Sequence, residues 1–484
     1  MRVRLVMVVL LLLAMPVPLV AQAGDGEERD LTDALALAAA WLDAEQDFKD
    51  LPGIAVAVVR DQEVVWTAAF GHVDREAGVP MTPDTRFHIA SISKTFAAVA
   101  VMTLVEQGAL RLDDAVEDVV SWFTPPPRKH DNGPITIRSL LTHSSGLSRE
   151  VVSPIWSDLT KTPTGRKMQT ELSAVPPLYQ STTVFQYSNL AYLLLGEIVA
   201  DVSGMPYEDY LREKVLDPLG LDATVASYPE SAYGATHAIR YAVPNRGREY
   251  PRLGYTRSEG IASMGGLSST VVDLAKYASW QFRLHEADAT TEILRPSTLR
   301  NMHRVHFTDR DWSTTWGLGF EVAKDPDRGT LVSHGGHLPG HLSAFVMQPA
   351  SKMAYIVMIN TSGGSPGSYT RGLMALVAKL EGVPADAENR LPREALAEYE
   401  GRYEMAGGMG ELHLGAWEGR LAMLSLPSDD PADRMSVYEH VEGDTFRRVR
   451  DDGDFGETLR FERGPDGEVR GGSYFSYEFR RVGS

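Results

Sequence analysis

Apolar residues recur at helical spacing over residues 31–47, at Leu31, Leu35, Leu37, Ala38 and Leu42, and then give way to a β-branched run at 53–59. This change of period predicts a helix followed by a strand. Asp61-Gln62-Glu63 reads as a turn and residues 64–70 as a second strand, so the two strands form a hairpin. A long apolar segment at 95–105 stops at Gly108, where glycine can take the left-handed conformation that ends helices, and predicts a buried helix. Pro125-Pro126-Pro127 and Asp131-Asn132-Gly133-Pro134 mark an exposed loop. A further apolar helical run covers 190–199. Two strand-like runs, 342–347 and 353–359, flank a turn at 349–352, and a helix follows at 369–380. A sheet closing between a first and a last helix accounts for this order.

Past residue 383 the texture changes. Residues 384–392, rich in Ala, Asp and Glu between two prolines, read as a linker. Beyond it, short alternating runs at 412–414, 421–424, 445–449 and 458–461 are separated by Gly, Asp and Pro clusters, which predicts a small all-β module over 393–484. At the other end, Arg2 and Arg4 precede an apolar run that finishes at Ala21-Gln22-Ala23. That is the pattern of a secretory signal peptide at 1–23, too short for a membrane span, with cleavage before Gly24. The expectation is a periplasmic or secreted protein without a stable membrane span, whose main domain occupies 24–383.

Composition narrows the chemistry. The 484 residues include no cysteine, which removes disulfides, thiolate nucleophiles and cysteine-based zinc sites. A formal charge of −18 argues against a nucleic-acid partner and leaves a small-molecule or peptide substrate. No cofactor is expected.

Three separated motifs carry candidate chemistry. In Ser91-Ile92-Ser93-Lys94 the serine opens a predicted helix and the lysine lies one turn further on the same face. A serine hydroxyl needs a base, and an amine serves only if burial or a neighbouring cation lowers its pKa. Alone, such a motif is equally a helix cap beside a solvated lysine. Tyr187-Ser188-Asn189 precedes the 190–199 run, so that Tyr187 can relay a proton and Asn189 can bind a substrate carbonyl. In Ser333-His334-Gly335-Gly336-His337 glycines at a strand end let a ligand approach the sheet edge at Gly336. The main-chain N–H groups of Ser91 and His337 form the natural oxyanion pair there.

In this order and spacing, the three motifs resemble the serine β-lactamase and penicillin-binding-protein superfamily, nearest its class C, carboxypeptidase and esterase branch. The segments Ile135–Leu147 and Gly265–Thr270 resemble it too, and the match covers roughly residues 31–380. The resemblance implies an α+β fold, with an antiparallel sheet flanked by helices and an α-helical subdomain, followed here by a barrel-like, loosely lipocalin-like module. It also implies that Ser91 is acylated and that Lys94 and Tyr187 share general acid and base work. His334 stands where many members carry a lysine. A mostly neutral histidine there weakens carboxylate recognition and favours ester or amide substrates, D-amino-acid peptides among them.

Two decoys and one rival remain. Gly363-Gly364-Ser365-Pro366-Gly367 fits G-x-S-x-G, but Pro366 has no N–H to offer an oxyanion. His334, His337 and His341 suggest a metal, yet strand alternation sends His334 and His337 to opposite faces. His143 and His88 read as structural histidines. The rival keeps the fold without turnover, as a slowly acylated or non-catalytic protein that binds cell-wall peptide or penicillin.

Overall fold

The computed structural model describes residues 30–126, 133–157, 162–244, 249–286, 291–382, 390–450 and 452–483. The signal-peptide segment, most of the expected linker and part of the proline-rich loop lie outside the described residues.

The first helix runs Thr32–Phe48 and leads into strands β1 (Gly53–Arg60) and β2 (Glu63–Asp74), the hairpin expected from the sequence. Short strands follow: β3 (Val79–Pro80), β4 (Phe87–His88), β5 (Ser268–Ser269), β6 (Phe307–Thr308) and β7 (Thr315–Trp316). Then come β8 (Glu321–Asp325), β9 (Gly329–Leu338), β10 (His341–Gln348) and β11 (Met353–Ile359). Nine of them form one sheet in the order β3-β2-β1-β11-β10-β9-β8-β7-β6, and all its pairings are antiparallel.

The centre of this sheet is covered on both faces, which is why β1 and β11 read as unbroken apolar runs. Ile54, Val56 and Val58 face one core with Trp41 and Leu42 of the first helix and Leu373 and Val377 of the last one, Pro366–Glu381. Ala55, Ala57 and Val59 face the opposite core with Phe96, Val99, Tyr277 and Trp280 of the helices Ser93–Glu106 and Val271–Glu286. The helical region inserted between β4 and β5 includes the helix Asn189–Ser203, which ends at Gly204 in the left-handed conformation.

The tail is a closed eight-stranded antiparallel barrel: β12 (Gly401–Met405), β13 (Glu411–Trp417), β14 (Arg420–Leu426), β15 (Met435–Glu442), β16 (Thr445–Val449), β17 (Phe455–Arg463), β18 (Val469–Tyr474) and β19 (Tyr477–Arg481). Tyr403, Leu414, Phe446, Phe461 and Phe479 fill its interior. This establishes the barrel, while nothing in it singles out the lipocalins. The barrel shares a core with the sheet-and-helix part, since Trp417, Leu424, Leu426 and Met435 join the cluster around Trp41. Trp41 Nε1 donates to the Ser428 carbonyl at 2.7 Å, and Glu45 accepts from the Ser428 N–H at 3.0 Å.

Candidate active site

Ser91 lies in a 3-10 turn, Ala90–Ile92, that runs directly into the helix Ser93–Glu106. Ala90 holds φ = 49°, a left-handed conformation that costs an alanine about 1 kcal/mol and persists only where its surroundings impose it. Here β4 pairs with β5, the Ile89 N–H donates to Leu267 O at 2.9 Å, and Ser343 Oγ donates to Ile89 O at 3.0 Å. The nucleophile candidate is thus clamped from two chain segments, 267–269 and β10.

Lys94 is fully buried one turn along. Its Nζ lies 3.2 Å from Ser91 Oγ, 2.8 Å from Asn189 Oδ1 and 2.5 Å from the Met264 carbonyl. Burial lowers its pKa well below the lysine range, and Arg149 adds to this against an opposing pull from Glu150. The amine can therefore be neutral and accept a proton.

Tyr187 precedes the helix Asn189–Ser203. Ser188 caps that helix by accepting from the Ala191 N–H at 2.9 Å, which explains why a serine separates the two site residues. Burial pushes the Tyr187 phenol up to about 12, with a hydrogen bond to Ser91 and the Arg149 charge working the other way. Lys94 Nζ and the Arg149 guanidinium lie 4.9 and 5.1 Å from its ring centre.

Asn189 is placed differently from the sequence expectation. Its Oδ1 accepts from Lys94, and its Nδ2 donates to Glu150 Oε1 at 2.7 Å. The amide thus orders the amine and the carboxylate within the protein.

His334 is buried with Nδ1 at 2.7 Å from the Gly335 carbonyl, which assigns the proton to Nδ1. Burial, and then Lys94, bring its pKa down to about 3. The side chain at the family's lysine position is uncharged. His334 and His337 alternate between buried and exposed along β9, as the strand period requires.

Gly336 is needed for a reason other than the expected ligand approach: a Cβ there would collide with the Ile89 carbonyl and Ser343 Oγ. The glycine lets β9 lie against the turn that carries Ser91. Leu338 pairs with His341 around a two-residue turn, so ladder alternation directs the His337 N–H away from β10. Pairing to β8 ends at Ser333.

Ser91, Tyr187, Asn189, His334, Gly336 and His337 all line one cleft of about 870 Å³, against which Lys94 is buried. Arg149, Glu150, Trp156, Phe185, Trp316 and Glu321 add to the wall, and no motif in the sequence singled them out. Arg149 and Glu150 come two and three residues after the segment 135–147, and that proximity was their available signal. The decoy serine, Ser365, sits at the rim with its Oγ 2.9 Å from Ser368 Oγ.

Comparison with known proteins identifies the family. The beta-lactamase family profile matches residues 39–379, and the chain belongs to that family. It is 29% identical to Penicillin-binding protein 4 of Amycolatopsis lactamdurans over 386 residues, covering 76% of this chain and 96% of the relative. It is 30% identical to Beta-lactamase-like protein 2 of Dictyostelium discoideum over 331 residues, covering 66% of this chain but 57% of that protein. Likewise the match spans 66% of Penicillin-binding protein 4* of Bacillus subtilis (strain 168). Among solved structures, the octameric penicillin-binding protein homologue from Pyrococcus abyssi superposes with a TM-score of 0.61 at 25% identity, over 92% of this chain and 99% of that one.

Proposed function

We propose that the protein is an exported serine hydrolase that works through an acyl-enzyme on Ser91, with ester or amide substrates that include D-amino-acid peptides. The observation that carries this reading is the buried, proton-poor Lys94 amine 3.2 Å from Ser91 Oγ at the floor of an open cleft. Lys94 Nζ takes the Ser91 proton as Oγ bonds to the substrate carbonyl carbon, and the N–H groups of Ser91 and His337 hold the developing oxyanion. With its pKa raised, Tyr187 stays a phenol and passes the proton to the leaving group, so base work falls mainly on Lys94. Water then attacks the acyl carbon and gives a proton to Lys94, the bond from the acyl carbon to Ser91 Oγ breaks, and that proton passes to Oγ as the acid leaves. The uncharged His334 supports esters and amides over carboxylate-bearing β-lactams. Relatives support the same chemistry, including a putative D-alanyl-D-alanine carboxypeptidase of Escherichia coli O157:H7 at 26% identity. Export rests on residues 1–23, and a mature chain beginning at Gly24 is the expected product.

The test is reaction of purified protein with a fluorophosphonate probe and a short-chain nitrophenyl ester. Labelling at Ser91 and turnover that falls by about 10³-fold or more in Ser91→Ala are expected. A wild-type protein that neither labels nor turns over refutes the enzyme reading, and labelling without turnover selects the slowly acylated binding protein.

A further inference from the structure

His143 touches the Tyr187 segment in three independent ways. Its carbonyl accepts the Gln186 N–H at 2.8 Å, and its Nδ1 accepts the Ser188 N–H at 3.0 Å, so both flanks of Tyr187 are tied to this one residue. Its ring lies against the phenol ring between those ties, with centroids 4.2 Å apart and planes at 30°. His143 is fully buried and holds φ = 54°, in the left-handed region where histidine is one of the more frequent non-glycine residues.

The acceptor role fixes the chemistry of the imidazole. Nδ1 can receive the Ser188 N–H only when it carries no proton, so the neutral ring keeps its hydrogen on Nε2. Around it stand Tyr192 at 5.1 Å, Trp316 at 5.1 Å and Phe185 at 5.9 Å between ring centres, which leave the imidazole one orientation. Tyr192 is itself held by a 2.9 Å bond from its hydroxyl to Leu141 O. The chain of contacts runs from the 137–141 helix through His143 to the phenol that meets Ser91.

We infer that His143 is the positioning residue of the proposed reaction, a neutral imidazole that fixes the phenol of Tyr187 against Ser91 by holding the backbone on both sides of it and bracing its ring. His143 meets no substrate and acts through Tyr187. The inference rests on the proposed role of Tyr187 and assigns the orientation of that group to a residue in another segment, 44 positions away.

The experiment uses the full chain with two variants that separate the contacts. His143→Phe keeps a ring and removes the acceptor; His143→Asn restores a short-range acceptor near the position of Nδ1. On a nitrophenyl ester, His143→Phe is expected to lower kcat at least tenfold with KM within twofold, and His143→Asn to recover kcat to within about threefold of the starting protein. A role confined to stability predicts the opposite order of merit, or equal losses in kcat that follow thermal stability; either result overturns the inference, as does full kcat in His143→Phe. The Tyr187→Phe background separates the two levels. If Tyr187→Phe loses activity and His143→Phe adds nothing further to it, both readings stand. Should Tyr187→Phe be fully active, the role of Tyr187 falls; if it is inactive while His143→Phe is active, only the positioning role falls. Where His143→Phe does not fold, the kcat of His143→Asn alone decides, because a loss beyond tenfold in a folded His143→Asn protein also overturns it.

Discussion

Lowering the pH from 7.5 to 5.5 tests the most unusual electrostatic feature of this chain, its buried neutral histidines. His88, His143, His237, His303, His334 and His341 are all held below the ordinary histidine value, by burial first in every case. For His237, His303 and His334 the value is about 3. His88, His237 and His341 also face one another, with ring centres 4.8 to 5.8 Å apart, so a proton on one opposes protons on the others. Because the folded-state values are depressed, the unfolded chain takes up protons first as the pH falls below about 6.5. Stability is therefore full above that point and is lost through the window from 6.5 down toward the folded values. Each histidine contributes a slope of about 1 kcal/mol per pH unit, so the six together remove on the order of 6–8 kcal/mol at pH 5.5. That is comparable to the whole stability of an ordinary domain. Aspartates such as Asp113 and Asp444, with values lowered by arginine partners, keep their contribution until the pH nears or passes below 3.8 and do not blur this window. Glu197 and Glu208, raised by burial, take protons first in the folded state and oppose the trend near its acid end. Urea unfolding followed by tryptophan fluorescence at pH 7.5, 6.5 and 5.5 measures the slope directly. His303→Gln, at a site bonded to Gln281 outside the cleft lining, should reduce it by one proton. A stability that is flat to within about 1 kcal/mol over this range would refute the assignment of neutral histidines in the folded state.

Truncation after Leu380 uncovers the core around Trp41 that Trp417, Leu424, Leu426 and Met435 share; at about 1.5–3 kcal/mol per large side chain the loss is on the order of 6–12 kcal/mol, and an unchanged urea midpoint would show the barrel to be a detachable accessory. His334→Lys places a cation at the buried wall of the cleft and should speed acylation by carboxylate-bearing substrates by about tenfold, measured with β-lactams and D-peptides; no gain assigns selectivity to cleft shape. Glu150→Gln keeps an acceptor for Asn189 but removes the charge that raises the Lys94 pKa, so the acid limb of the kcat/KM profile should move to lower pH, and a move to higher pH contradicts Lys94 as the base.

What the sequence determined by itself is local chemistry and local period. Helical spacing marked the first helix, and continuous apolar runs bounded by turn and cap residues marked β1 and the helix after Ser91, to within a few residues, because an element buried on one face carries a periodic stripe and one buried all round is apolar throughout. The three-residue spacing put Lys94 within reach of Ser91. Tertiary structure decided how those groups are used. Burial depends on what packs from far along the chain, and it is burial that lowers the Lys94 pKa, holds Tyr187 as a phenol and strips His334 of charge. Asn189 read as a substrate ligand, and the fold adds Lys94 and Glu150 at the two ends of its amide within the cleft wall. Gly336 read as room for a ligand, whereas the space it leaves is filled by the Ile89 carbonyl. His143 read as structural, and only the fold brings it to 4.2 Å from the Tyr187 ring. Spacing along one element can be read from a sequence because backbone geometry fixes it; the partner of a polar group, and hence its charge, is settled by contacts between segments that no local pattern encodes.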